Sequence, residues 1–249
     1  MVILKLPDEI ERARASSQIV AEVLNKLRDR VKPGATTKEL DRFAEEVARK
    51  RGAKPAFKGY RGYPYSLCTS VNEEVVHGMP SERILKEGDI ISLDFGVFYN
   101  GFFGDAAITL PVGKITDAAR KLIEVTEQSL YAGIEQAKKG NRLGDISSSV
   151  QQTVEPPGFS VVRDFVGHGI GRNLHEDPQI PNYGKKGRGI ELKSGMILAI
   201  EPMVNQGSYK VKILEDGWTV VTEDGMLSAH FEHSVAITDN GPEILSKLN

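Results

Sequence analysis

The sequence predicts a mixed α/β (α+β) fold in which a helix–helix–strand unit occurs twice. Three observations predict it. The first is order: two amphipathic helical stretches precede a strand-rich stretch, and that order recurs in the second half. The second is that "PGATTKEL" at 33–40 aligns with "KGNRLGDI" at 139–146, an offset of 106. The third is that "EGDIISLD" at 87–94 aligns with "SGMILAIE" at 194–201, an offset of 107. Chance likeness between amphipathic helices and apolar strands is the competing explanation, but the two offsets agree to within one position. The expectation is one domain over 1–249 with an internal pseudo-repeat, roughly 1–112 and 113–249, folded about a pseudo-two-fold axis. Asp94 and Glu201 are then equivalent positions, each an acid at the end of an apolar strand.

The elements follow in order. Pro7 to about Val31 reads as a helix, opened by Pro-Asp-Glu and carrying a broken stripe of Ile10, Ala13, Ile19, Val23, Leu24 and Leu27. Pro33-Gly34 breaks it. "TTKELDRFAEEVARKRG" is a second helix, with a capping box from Thr36 to Glu39 and Gly52 at its C-terminal end. Strand-like segments run from about Ser66 to Leu110. "TDAARKLIEVTEQSLYAGIEQAKKG" is a third helix, closed by Gly140. "LGDISSSVQQTVEPPG" is a fourth, stopped by Pro156-Pro157-Gly158. Short strands and Gly-rich loops fill the remainder to Leu248.

Composition narrows the class. The chain has 249 residues, 40% of them hydrophobic, so a sizeable core can form. A net charge of −2 gives no global argument for nucleic-acid or membrane binding. The single cysteine, Cys68, cannot form an internal disulfide, which points to a reducing compartment, most simply the cytosol. The N-terminus "MVILKLPDEIERARASS" lacks the apolar core of a signal peptide, and no apolar run approaches the roughly 20 residues that span a bilayer.

The stretch "SLDFGVFYNGFFGDAAITL", Ser92 to Leu110, carries the chemistry. It is apolar and aromatic, yet holds Asp94 and Asp105. Asn100-Gly101 is the strongest short hairpin signal, a two-residue type I′ turn. With those residues as the loop, Tyr99 pairs with Phe102, Asp94 with Ala107, and Asp105 with Gly96. Asp94 and Asp105 then share a face as diagonal neighbours, roughly 7–8 Å apart at the backbone, provided no bulge shifts the register. Two carboxylates on one buried face need a shared proton, basic partners or metal ions. No Lys or Arg lies between Lys86 and Lys114, so a basic partner must come from a distant part of the chain. A shared proton of the acid-protease kind calls for small hydroxyl residues beside the acids, whereas here they sit in Asp-Phe-Gly and Gly-Asp-Ala.

Further candidate ligands lie downstream. "FVGHGIGRNLHEDP" holds His168 and His175, "LAIEPMV" holds Glu201, and "AHFEHSVAI" holds Glu232 in an alternating strand. In that strand Phe231, His233, Val235 and Ile237 face one way, and His230, Glu232, Ser234 and Ala236 the other. A lone His is more often structural and a lone Glu after a strand more often a rim charge. Four acids sunk into apolar strands, with a His in a Gly-rich loop, make a stronger case together. Four carboxylates carry four negative charges, which two divalent cations balance. A mostly oxygen site with one imidazole suits Mn, Fe(II) or Co better than a thiolate-type zinc site. Two such ions roughly 3.5–4 Å apart can hold a bridging hydroxide nucleophile.

Asp94, Asp105, His168, Glu201 and Glu232, in that order and spacing, resemble the five metal ligands of the type I methionine aminopeptidases. The flanking motifs agree: "NEEVVHGMP", "DFGVFYNGFFGDAA", "GHGIGRNLHEDPQIPNY", "AIEPM" and "DGWTVVTEDGMLSAHFEHSVAIT". The resemblance runs from about Leu6 to near the C-terminus. It implies the pita-bread fold, a pseudo-symmetric α/β architecture with a curved antiparallel sheet. It implies two divalent metal ions, drawn from Co, Mn, Fe(II) or Zn, with Asp94 on one, Asp105 and Glu232 bridging, and His168 and Glu201 on the other. Glu201 is also implied as a proton shuttle. His77 matches the histidine at the scissile amide nitrogen, and His175 the one that hydrogen-bonds the substrate carbonyl. Phe57, Tyr60, Tyr63, Cys68 and Trp218 fall where the family lines its methionine pocket, an apolar slot suited to a thioether. Phe57 stands where many members have Cys, and Leu174 where many have Phe, which bears on pocket shape. Cys68 as a nucleophile finds no adjacent His.

The implied activity is removal of the initiator methionine from nascent chains whose second residue is small, in the cytoplasm. The implied partners are nascent polypeptide N-termini and a transient ribosome contact, with no membrane, no specific nucleic acid and a monomeric state. No Cys/His-rich N-terminal extension is present, and only thirty residues separate Glu201 from Glu232, so the short bacterial form fits best. One alternative is an Xaa-Pro aminopeptidase-like relative, which usually carries a separate N-terminal domain. The other is a non-catalytic binding homologue, which typically loses metal ligands.

Overall fold

The computed structural model of the chain describes residues 2–248. Helix α1 spans Pro7–Arg28. Proline at its first position lacks only an N–H that would have had no partner anyway, and the Glu9 carboxylate reaches back to the Leu6 N–H at 2.9 Å. It stops at Arg28, short of the Val31 that periodicity predicts. The chain leaves through a turn in which the Arg30 N–H reaches the Leu27 carbonyl at 2.9 Å, because Pro33 disfavours helical backbone just before it. Helix α2 spans Thr37–Lys50. Its capping box is complete: the Glu39 N–H donates to the Thr36 hydroxyl and the Thr36 N–H donates to the Glu39 carboxylate. Helices α3, Asp117–Gln136, and α4, Leu143–Val154, form the second pair.

Each helix pair joins its strand region through the same hydrogen bonds. Gly34 N–H donates to the Leu85 carbonyl and Gly140 N–H to the Leu192 carbonyl, both at 2.9 Å. Leu85 N–H returns to Ala35 and Leu192 N–H to Asn141, both at 2.8 Å. Gly34 and Gly140 both sit at positive φ, 93° and 89°, where an L side chain is strained.

The main sheet has nine strands, all paired antiparallel. Those that build the site are β1 (Leu67–Val71), β2 (Ile90–Tyr99), β3 (Phe102–Pro111), β4 (Gly167–Gly169), β5 (Glu176–Ile180), β6 (Ile197–Ile200) and β7 (Glu232–Thr238). The order runs β2–β3–β7–β6–β4–β5, with β1 also on β2. The β2–β3 hairpin turns at Asn100 (φ 49°) and Gly101 (φ 84°), the two positive values of a type I′ turn. Its register is unbroken from Tyr99–Phe102 to Ile90–Pro111, with no bulge between the two aspartates.

Strand periodicity then sorts the residues. Leu93, Phe95, Val97, Ala106, Ile108, Leu110, Leu198, Ile200, Phe231, Val235 and Ile237 join one apolar cluster with α1, α2 and α3. Asp94, Asp105, Ala107, Glu232 and Ala199 occupy the opposite parity. The helices thus cover one face, and the acids stand on the other. Among the described residues, no helix is long and apolar enough to cross a membrane.

Gly96 lies opposite Asp105. A Cβ there would stand 3.2 Å from Asp105 Oδ1 and 2.9 Å from a Phe57 ring carbon. Gly96→Ala is expected to lose about 1–3 kcal/mol of stability through overpacking, measured by urea unfolding; an unchanged midpoint would contradict this packing.

Candidate metal centre

The sheet register builds the centre. Ala107 on β3 pairs with Asp94 on β2 at one side and with Glu232 on β7 at the other. Two carboxylates therefore flank a methyl group, small enough to let them converge. Asp105 lies two residues from Ala107 on the same face. On β6, Ile200 pairs with His233, and Glu201 follows one residue beyond that last pair. His168 pairs with Ala199, two residues from Glu201. The five predicted ligands thus come from β2, β3, β4, the end of β6 and β7, and all reach one patch.

Ligating atoms of Asp105, His168 and Glu232, all buried, lie within 4.8 Å of one another. His168 Nε2 stands 3.5 Å from Glu201 Oε1. His168 Nδ1 lies 2.8 Å from the Gly169 carbonyl. A carbonyl only accepts, so that contact puts the proton on Nδ1 and leaves the Nε2 lone pair facing the carboxylates. Burial holds the His168 imidazolium form back to about 3, assisted by repulsion from His175.

The charge balance is unmet by protein groups. No Lys or Arg ion-pairs with Asp94, Asp105, Glu201 or Glu232 among the described residues, so the distant basic partner that the sequence left open does not arrive. Asp94 Oδ1, Asp105 Oδ1 and Glu232 Oε1 are buried without a hydrogen-bond partner. Burial pushes Asp94 up to about 7, with His230 opposing and Glu201 adding to the rise. Burial drives Asp105, Glu201 and Glu232 well above the usual carboxylate range, and for Asp105 and Glu232 neighbouring carboxylates push further. Orphaned oxygens, a correctly presented imidazole and no basic partner fit hard or borderline divalent cations.

The patch floors a cavity of about 150 Å³, lined also by Phe57, Tyr60, Arg61, Tyr63, Cys68, His77, Leu174, His175 and Trp218. Every candidate site residue from the sequence is therefore gathered in one cavity. Phe57, Tyr63, Cys68 and Leu174 form a buried apolar cluster with Trp218 and Tyr60 at its edge. The Tyr63 ring meets Trp218 edge-on at 5.1 Å, and its hydroxyl donates to the Leu67 and Gly78 carbonyls. Burial raises the Cys68 thiol well above its ordinary value, with Asp94 adding to the effect, so it serves as an apolar wall and not as a thiolate.

The two remaining histidines come from loops. His77 holds φ 60°, an uncommon value for a non-glycine residue. Its ring lies edge-on to Phe165 at 5.6 Å and to Trp218 at 6.3 Å. Burial depresses it to about 4, helped by His230 and then His175, so it is neutral at pH 7. His175 packs 4.3 Å from the His168 ring, and its Nδ1 lies 2.9 Å from the Tyr60 hydroxyl. Its loop is tied down by a buried ion pair, Lys5 Nζ to Glu176 Oε2 at 2.5 Å.

Sequence reasoning missed three contributors. Arg61 lines the cavity from a strained turn (φ 49°), which no sequence pattern announces. Phe165 backs His77 from a loop. His230 lies 3.7 Å from Glu201 Oε2; its signal was the parity it shares with Glu232.

The chain matches the model of metallopeptidase family M24 over residues 11–239. It is 60% identical over 248 residues to a methionine aminopeptidase of Clostridium perfringens, covering 100% of both. It is 56% identical to methionine aminopeptidase 1 of Bacillus subtilis, again covering 100% of both. Among solved structures, a methionine aminopeptidase of Thermotoga maritima superposes with a TM-score of 0.98 at 51% identity over 100% of both chains. A prolidase of Pyrococcus furiosus superposes with a TM-score of 0.79 at 24% identity, covering 99% of this chain and 66% of that one, a likeness of fold alone.

Asp105→Asn and Glu232→Gln each remove a negative charge from the buried cluster while keeping its volume. Each is expected to lose most bound divalent metal in elemental analysis of the purified protein, while a conservative change at an exposed acid such as Glu215 leaves loading unaltered. Full loading of either core variant would overturn the ligand assignment.

Proposed function

The chain belongs to the methionine aminopeptidases of metallopeptidase family M24, and on that premise we propose that it removes the N-terminal methionine from polypeptides whose second residue is small. Its fold is the pita-bread fold of these peptidases. The observation that carries the proposal is the cavity: four carboxylates, three of them with an unpartnered buried oxygen, and an imidazole at its floor, neutral histidines on its rim and an apolar aromatic slot beside them. We read 1–249 as one catalytic domain of two duplicated halves, supported by the matching junction hydrogen bonds at residues 34–85 and 140–192.

Asp94, Asp105, His168, Glu201 and Glu232 would hold two divalent cations, of Co, Mn, Fe(II) or Zn, with Asp105 and Glu232 shared. When bound, such cations supply Lewis acidity and a hydroxide at neutral pH. The other tasks fall to the chain. Phe57, Tyr63, Cys68 and Trp218 receive the methionine side chain, whose thioether suits an aromatic and thiol lining. His175 donates Nε2–H to the scissile carbonyl oxygen as negative charge grows there. The Tyr60 hydroxyl, donating to His175 Nδ1, selects the tautomer that makes Nε2 the donor. His77, uncharged, faces the amide nitrogen. Glu201 takes the proton of the attacking water and returns it to the departing amine as the C–N bond breaks. The products are free methionine and the shortened chain with a new amino terminus.

The natural substrates are nascent chains in the cytoplasm, met at the ribosome by a monomeric enzyme. No observation favours the Xaa-Pro or non-catalytic alternatives: all five ligands are present, and the likeness to prolidases is one of fold.

With Mn or Co added, the protein is expected to cleave Met-Ala-Ser and to leave Met-Lys-Ser intact, followed by methionine release. Equal turnover of both peptides, or none with any divalent metal, would sink the proposal. His175→Ala should retain metal and lose about 10²–10³ in kcat. Tyr60→Phe should lose part of that rate and shift the His175 ring-nitrogen NMR signals toward mixed tautomers; unaltered signals would exclude the tautomer role.

A further inference from the structure

One buried imidazole beside the site takes no part in the steps above. His230 is 1% exposed, and its Nε2 is buried with no hydrogen-bond partner. An unpaired buried ring nitrogen is costly unless something meets it. The group in front of it is Glu201, whose Oε2 lies 3.7 Å from Nε2. That is a small side-chain rotation short of hydrogen-bonding distance.

The two oxygens of Glu201 are already divided. Oε1 lies 3.5 Å from His168 Nε2. Two donor atoms that share one cation, each at about 2.0–2.2 Å from it, stand about 3–3.5 Å apart. Oε1 is therefore the oxygen that would meet a bound cation together with His168, and Oε2 is the one turned toward His230.

The backbone that carries the ring is fixed. The His230 N–H donates to the Thr109 hydroxyl at 2.9 Å, and that hydroxyl donates back to the His230 carbonyl at 2.7 Å. The Ser92 hydroxyl, 2.8 Å away, completes the lock on Thr109. Both backbone groups of His230 are thus tied to β3, the strand that carries Asp105. Asp94 and His77 also lie near His230, but Glu201 is the carboxylate that its Nε2 approaches to 3.7 Å.

We propose that His230 is a positioning residue for the metal centre: its neutral ring donates Nε2–H to Glu201 Oε2 and so confines Glu201 to a single metal contact through Oε1. The inference rests on Glu201 being a ligand and requires no particular peptide substrate.

The test is titration of the metal-free protein with Co(II), read by calorimetry and by visible absorption, with no peptide present. His230→Leu removes the donor. His230→Asn keeps polarity but is too short to reach Glu201. Both are expected to weaken Co(II) binding by about 10–100-fold and to alter the absorption band as the second Glu201 oxygen turns to the ion. His230→Gln, which can extend an N–H to the same oxygen, is expected to stay within about threefold of the parent. Parent-like affinity and spectrum in the Asn variant, or in a folded Leu variant, would overturn the proposal, as would a Gln variant no better than Asn. Peptide cleavage is not among the readouts, so a failed peptidase assignment and a failed positioning role give separate results.

Discussion

Four carboxylates stand on one face of an apolar sheet with no lysine or arginine among the described residues ion-paired to them, and the rest of the structure is arranged around that charge. Alternation along β2, β3 and β7 sends Leu93, Phe95, Ala106, Ile108, Phe231 and Val235 to the helices, so that Asp94, Asp105 and Glu232 must face the other way. The positions between and opposite the acids are Ala107 and Gly96, where larger side chains would hold the carboxylates apart. The helical layer keeps the back of the sheet dry. The front opens into the cavity. Removing any one acid would relieve repulsion and stabilise the metal-free fold; retaining all four makes sense only for a site that binds cations.

How much of this was legible in the sequence follows from how local each constraint is. The hairpin was legible in full: Asn100-Gly101 fixes a two-residue turn, the turn fixes the register, and the register places Asp94 and Asp105 on one face. The capping box at Thr36–Glu39 and the Gly34 and Gly140 junctions were legible because each involves a few neighbouring residues with strict backbone demands. Parity along β7 was legible too, and it placed Glu232 correctly.

What sequence reading could not supply was the meeting of distant strands. The pairing of β7 between β3 and β6 brings Glu232 and Glu201 to the aspartates. Nothing local encodes it; for the ligand set, resemblance to a family stood in for geometry. The Tyr60–His175 bond joins residues 115 apart in sequence, and the Lys5–Glu176 pair joins residues 171 apart. His230 was seen on the correct face but given no role, because a single histidine on a strand carries no information about what it meets.

The site divides its labour between rigid and constrained irregular backbone. Four of the five proposed ligands lie within strands, and Glu201 directly follows one, where ladder hydrogen bonds fix backbone positions closely, as multidentate coordination requires. His77 and His175, which line the cavity above them, come from loops, and each loop is held by an unusual device. His77 stays at positive φ, with a Gly78 that admits no Cβ because the Thr69 carbonyl oxygen would lie 2.4 Å from it. The His175 loop is pinned by Lys5 through Glu176, whose side chains are 3% and 5% exposed. A buried ion pair adds little net stability against an apolar alternative, but it strongly penalises any arrangement that separates its members. Here it fixes the place of the loop more than it deepens the fold. The segment before α1 thereby becomes part of the scaffold of the active site, although it lies far in sequence from every ligand.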